Sequence, residues 1–200
     1  MVSIDYPKAP EHPFPIAVEA VRDVIRHFVD RAEKYRLDIT RMGIGGHSAG
    51  ANLATVTCLR DLKAQEFQFK YQVLDYPPLD LATDPYKKPA PKGSIPPRMA
   101  AIFNLCYVDP EKAKDPSVSP VFAAPENLAG MPRALVIVCG GDSLHDEGVR
   151  YAELLQAAGT GVKLHDFPGE KHGFTYNRTA GAREAIKLMT EFIRENAHEI

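Results

Sequence analysis

Apolar runs of strand length alternate along this chain with stretches in which apolar residues recur at helical spacing. That is the pattern of a parallel sheet covered by helices on both faces. Val2 to Tyr6 reads as a strand, and the turn-rich Pro7 to Pro15 leads into a helix whose Ala17, Val21, Val24, Ile25 and Phe28 share one side. Arg41 to Gly45 reads as a short strand, Ser48 to Arg60 as a helix and Tyr71 to Leu74 as another strand. The most apolar run, Ala134 to Cys139, fits a central strand buried on both faces. Asp146 is placed to cap a helix that runs through Tyr151, Leu154 and Leu155 to Gly159. Val162 to Phe167 gives the next strand, and a closing helix turns Ala182, Ile186, Met189 and Phe192 inward. The fold class is α/β.

Between residues 77 and 120 the periodicity weakens and ten of the chain's 17 prolines gather, so this stretch leaves the sheet and holds one helix, near Pro97 to Tyr107. Long irregular insertions in compact domains tend to be lids or pocket walls; a passive surface loop is the plainer reading. With 200 residues, 44% of them apolar, the chain suits a single domain over residues 1–200. There is no internal repeat.

Charge narrows the partners. A formal charge of −2, with acidic and basic residues interspersed, gives no footprint for nucleic acid or an anionic membrane, so the expected ligand is a small molecule. No apolar run is long enough to span a bilayer, and Met1 to Tyr6 lacks the layout of a signal peptide. Cys58, Cys106 and Cys139 are odd in number and widely spaced, a poor disulfide framework and a poor zinc site. These features together suggest a reducing, cytoplasmic setting and leave a homo-oligomer open.

Gly46-His47-Ser48-Ala49-Gly50 matches the G-x-S-x-G pattern of a nucleophile elbow. The pattern is short, and its position between a strand and a helix gives it weight. A sharp turn there holds the serine in a strained conformation with its hydroxyl exposed, and crowding against neighbouring backbone favours glycine at 46 and 50. The N-terminus of the following helix, with the Ala49 N–H, would face negative charge developing on a substrate oxygen. Phosphate binding competes poorly, because neither a P-loop lysine nor the third glycine of a dinucleotide fingerprint is present.

A serine hydroxyl needs a base, and the base needs a carboxylate to fix its tautomer. Open α/β sheets build their sites at the carboxyl ends of strands. Asp142 follows the Ala134–Cys139 strand after two glycines, and His172 follows the Val162–Phe167 strand in a glycine-flanked loop. The chain order Ser, Asp, His is that of α/β-hydrolases. Asp146 competes for the acid and His145, His165 and His47 for the base. Asp146, however, suits a helix cap, His165 lies inside a strand, and His47 adjoins the nucleophile on the opposing side of its turn.

Asp5-Tyr6 with Ala9-Pro10-Glu11-His12-Pro13-Phe14-Pro15, Ser48-Ala49-Gly50 with Asn52-Leu53-Ala54, Asp142-Ser143-Leu144-His145-Asp146-Glu147-Gly148 and His172-Gly173-Phe174 stand in one order. In these segments, which span nearly the whole chain, the sequence resembles the hormone-sensitive-lipase-like esterases. The resemblance implies an α/β-hydrolase fold and hydrolysis of short-acyl carboxylic esters without a metal or organic cofactor. Pro7-Lys8 and His47 depart from the family's usual residues, which bears on substrate preference. A deacetylase or formamidase of the same fold, and a non-catalytic binding protein that keeps the fold, are the alternatives.

The resemblance also implies a His-Gly-Gly-Gly segment ahead of Asp5-Tyr6, whose amides complete the oxyanion hole, together with a further strand and capping helices. Asp5-Tyr6 stand within the first six residues of the sequence. The expectation is therefore an incomplete gene product, an open site and impaired turnover, since one lost oxyanion donor costs about 10²–10³ in rate. Alternatively, Val2 to Tyr6 shifts across the gap, or another chain fills it.

Overall fold

In the computed structural model, which describes residues 1–198, four parallel strands form one sheet in sequence order. They are β1 (Gly43–His47), β2 (Tyr71–Asp75), β3 (Arg133–Gly141) and β4 (Val162–Lys171). Side chains alternate across a strand, and β3 uses both sets. Ala134, Val136 and Val138 join one apolar cluster with α3 (Ala49–Ala64) and α5 (His145–Ala157). Leu135, Ile137 and Cys139 join a second, with Phe174 and α6 (Ala180–His198). The central run is thus buried on both sides, as its uniform hydrophobicity requires.

The helix α1 (Ile16–Val29) packs on α3. Its Ala17, Val18 and Val21 pack on Leu53 and Val56 of α3. A four-residue helix, α2 (Ala32–Tyr35), follows it.

Several expectations are corrected. Val2 to Tyr6 is not a strand and does not pair with β1; Ile4 and Tyr6 pack instead against the α1–α3 cluster. A strand exists through its neighbours' hydrogen bonds, and among the described residues the sheet offers this segment no partner. Arg41 belongs to a 3₁₀ turn, Ile39–Arg41, capped by Asp38, whose Oδ1 accepts the Thr40 N–H at 2.9 Å. β1 accordingly begins two residues later than expected. Ile186 is half exposed, at 50%, whereas Ala182, Ala185 and Phe192 turn inward from α6. Asp146 does not cap α5: the helix starts at His145 with Leu144 as N-cap.

The proline-rich excursion carries α4 (Pro97–Tyr107), the helix expected there, with proline at its first position, where no donor is lost. The stretch builds a small core of Val108, Ala113 and Val118 against Phe14 and Leu81. Asn52 of α3 joins its two ends by donating to the carbonyls of Pro78 at 2.8 Å and Val118 at 3.0 Å. A buried contact in which Lys88 Nζ donates to Glu147 Oε2 at 2.5 Å ties it to α5.

Candidate active site

The register of the ladders decides what meets at the carboxyl end of the sheet. β1 runs into Ser48, which adopts φ 49° and ψ −122°, a left-handed conformation strained for a residue with a Cβ. The turn is held by the Ser48 N–H, which donates to the Asp75 carbonyl at 2.9 Å and so extends the β1–β2 ladder by one bond. A Cβ on Gly46 would lie 2.3 Å from the Gly50 carbonyl carbon, so glycine is required there. The steric reason for Gly50 does not hold, because a Cβ on that residue would meet nothing within 4 Å. Gly50 is the backbone that Gly46 must clear.

At the other end, Gly141 of β3 is paired with Lys171 of β4 after a break in register at Cys139–Gly141. A Cβ on Gly140 would stand 2.8 Å from the Pro168 carbonyl oxygen, and one on Gly141 2.7 Å from that of Glu170. The two glycines let the strand ends close up, and the next residues of each strand, Asp142 and His172, emerge together. Asp142 Oδ2 accepts from His172 Nδ1 at 2.7 Å, and His172 Nε2 lies 2.9 Å from Ser48 Oγ. Asp142 is 2% exposed. Its Oδ1 also accepts the Leu144 N–H at 3.2 Å, so the carboxylate serving the start of α5 is this one rather than Asp146. The Cys139 thiol, pushed well above its usual pKa chiefly by burial and then by Asp142 and Asp75, stays protonated 3.7 Å from Asp142 Oδ2.

With Asp142 acting as acceptor, His172 carries its proton on Nδ1 and offers the Nε2 lone pair to the Ser48 hydroxyl. Ser48 is the N-cap of α3, and Ala49, the first helical residue, belongs to the turn whose amides have no partner within the helix. Of the remaining candidates, Asp146, His145 and His165 lie elsewhere, whereas His47 adjoins Ser48 but is paired with Asp75 rather than with the serine hydroxyl. Asp146 is exposed and bonded to His145 Nδ1 at 2.9 Å, and His145 Nε2 is 3.2 Å from Asp166. Burial disfavours charge on His145, but the hydrogen bonds to Asp146 and Asp166 outweigh it and raise the pKa above the ordinary value. His165 stays within β4. Among the described residues no group of three or more His, Cys, Asp or Glu side chains is placed to hold a metal ion, and no helix is long and apolar enough to cross a membrane.

Three neighbours of the site, Asp75, Thr175 and Tyr76, and the pairing of His47 with Asp75 were not legible in the sequence. His47 Nδ1 is 2.5 Å from Asp75 Oδ2, Thr175 Oγ1 donates to the same oxygen at 2.7 Å, and Tyr76 Oη is 2.6 Å from Thr175 Oγ1. The Tyr76 ring meets the His172 ring edge-on, their centroids 4.8 Å apart.

A family profile described as alpha/beta hydrolase fold matches residues 1–176. Esterase LipI of Mycobacterium tuberculosis is 32% identical over 176 residues, which cover 87% of this chain and 55% of that protein. Carboxylesterase NlhH of the same organism is 33% identical over 180 residues, 87% of this chain and 56% of its own. The chain thus spans little more than half the length of such curated relatives. Among solved structures, the thermostable carboxylesterase EstE1 from a metagenomic library superposes with a TM-score of 0.91 at 34% identity, covering 98% of this chain and 69% of that one. The hyperthermophilic esterase of Pyrobaculum calidifontis gives 0.89 at 35%, covering 98% and 66%.

Proposed function

Because the chain belongs to the α/β-hydrolase fold family, whose profile matches residues 1–176, we propose that it is the catalytic part of a serine carboxylic-ester hydrolase acting on short-acyl esters. The observation that carries this reading is the unbroken line from Asp142 Oδ2 through His172 to Ser48 Oγ, with spacings of 2.7 Å and 2.9 Å, ending on a strained serine at a helix N-terminus. The kinship to proteins named esterase and carboxylesterase supports the substrate class.

In this reading Ser48 Oγ attacks the ester carbonyl carbon while its proton passes to His172 Nε2. Asp142, buried and acceptor-only, stabilises the imidazolium that forms. The tetrahedral oxygen turns toward the Ala49 N–H, one donor of the oxyanion hole, and α3 adds its positive end. Collapse expels the alcohol, which takes the proton back from His172. A water then repeats the sequence on the acyl-serine, releasing the acid and restoring Ser48. The Cys139 thiol and the Leu144 amide hold Asp142 in place.

The test is covalent. A fluorophosphonate carries an excellent leaving group and asks less of the oxyanion donors than an ordinary ester does. Incubated with the chain, it should add one phosphonyl mass to the peptide containing Ser48, and Ser48→Ala should abolish the addition. Labelling that persists in Ser48→Ala, or a wild type that is never labelled, would overturn the assignment.

A further inference from the structure

Ser48 is flanked by a second carboxylate–imidazole pair. The β1–β2 register sets His47 directly opposite Asp75. Asp75 is fully buried, and its Oδ1 has no hydrogen-bond partner in the protein. A buried carboxylate is costly unless its neighbours donate to it, and here every donor converges on Oδ2: His47 Nδ1 at 2.5 Å and Thr175 Oγ1 at 2.7 Å.

The proton order along this network is fixed by chemistry. Thr175 donates its single proton to Asp75 Oδ2, so across the 2.6 Å to Tyr76 its oxygen accepts and the phenol donates. Burial holds the Tyr76 phenol well above its usual pKa, which keeps that donor in place. Tyr76 is itself strained at φ 39°, pinned by its N–H to the Ile137 carbonyl at 2.8 Å, and its ring stands edge-on to His172. The same Asp75 accepts the Ser48 N–H on its backbone oxygen. One residue therefore touches the elbow through its main chain and the wall beside His172 through its side chain.

We propose that Asp75, held by His47, is a positioning residue for the hydrolytic site, aligning Ser48 through its carbonyl and His172 through Thr175 and Tyr76. This rests on the reading of Ser48, His172 and Asp142 as the reacting groups. Asp75 meets neither substrate nor the reacting atoms, so its loss acts on geometry, and small displacements of a base from its nucleophile are expensive in rate.

Thr175→Val keeps the side-chain shape and removes the link, and Thr175→Ser restores the hydroxyl. His47→Leu removes the other donor, and His47→Asn places an amide N–H where Nδ1–H stood. Each variant is compared with the wild type for the rate of fluorophosphonate labelling at Ser48, for kcat and KM on a chromogenic acetate ester, and for melting temperature. Thr175→Val and His47→Leu should each slow labelling and lower kcat by about 10- to 100-fold, with KM within about twofold. Thr175→Ser and His47→Asn should recover most of the loss. Recovery that follows the donor rather than the melting temperature separates positioning from plain stability. A wild type labelled at Ser48 with Thr175→Val and His47→Leu labelled as fast overturns the positioning role alone, as does a change confined to KM. If the wild type is not labelled, the hydrolase reading fails and the positioning role falls with it. Should Thr175→Val not fold, the His47 pair, on a half-exposed side chain, decides the matter.

Discussion

Gly141 stands opposite Lys171 on the last rung of the β3–β4 ladder, and this pairing is what delivers Asp142 to His172. Each side chain of the pair is the first residue past that rung, and the 2.7 Å bond between them follows from strand register rather than from loop flexibility. An amide at position 142 would keep the shape but could present its NH₂ to Nδ1, favouring the tautomer with the proton on Nε2. Asp142→Asn should therefore lower the kcat for a short-acyl ester by about 10⁴-fold. Asp146→Asn, at an exposed carboxylate bonded to His145, should leave it near the wild-type value. Equal losses would mean that Asp142 is not the residue orienting His172.

The elbow makes an asymmetric demand on its two glycines. Gly46→Ala would drive a methyl into the Gly50 carbonyl carbon at 2.3 Å, and backbone cannot yield as a flexible side chain can. Overpacking of this kind costs about 1–3 kcal/mol or more, and relief would come by displacing Ser48. Gly50→Ala, in the first turn of α3 with open space around its Cβ, should be neutral or stabilising by up to about 1 kcal/mol. Denaturant unfolding and the Ser48 labelling rate read both effects. A Gly50→Ala chain as damaged as Gly46→Ala would mean that the elbow is packed differently.

Much of this architecture is legible in the sequence, for identifiable reasons. The run from Ala134 to Cys139 announces a doubly buried strand, because both of its alternating sets are apolar. Ser48, Asp142 and His172 can be picked out because each follows the end of a strand, where open sheets of this class gather their side chains. The His47–Asp75 contact is hidden by the glycines of β1: in Gly43-Ile44-Gly45-Gly46-His47 a single apolar residue is too little to fix register from pattern. Thr175 and Tyr76 become visible only once that register is known. Val2 to Tyr6 misleads because alternation describes a propensity, while a strand requires a partner. Asp146 misleads for a local reason, since Asp142, four residues earlier, already takes the amide at the start of α5.

Asn52 holds the proline-rich excursion at both ends, so its loss should be disproportionate. Its NH₂ donates to the carbonyls of Pro78 and Val118, and Asn52 itself is 3% exposed. Asn52→Ala leaves both acceptors without their donor, and unsatisfied buried groups cost about 1–3 kcal/mol each. Asn52→Asp keeps the volume but sets an acceptor against two acceptors, so it should cost at least as much as the alanine. Urea denaturation checks the order. An aspartate variant more stable than the alanine variant would show that packing, not donation, is what the side chain supplies.

Glu147 gives the pH dependence its sign. Burial pushes its carboxyl up from the ordinary 4.5 to about 7, although the Lys88 ammonium and the amides of Leu79 and Asp80 pull the other way. Between those two values the folded chain holds a proton that the unfolded chain releases, so the folded state binds more protons and stability falls as pH rises through the window. The contribution is complete below pH 4.5 and gone above about 7. Its size is about 3 kcal/mol at most, taking 1.36 kcal/mol for each pH unit of difference. Glu147→Gln keeps an oxygen for the Leu79 and Asp80 amides and cannot titrate. Unfolding free energies of the two proteins, measured in parallel from pH 4.5 to 7.5, should therefore converge or cross, with the wild type losing ground to the variant as pH rises and the difference levelling off near neutrality. A wild type that gains on Glu147→Gln as pH rises would mean that the Lys88 pairing outweighs burial and that Glu147 is already ionised at the acid end of the range.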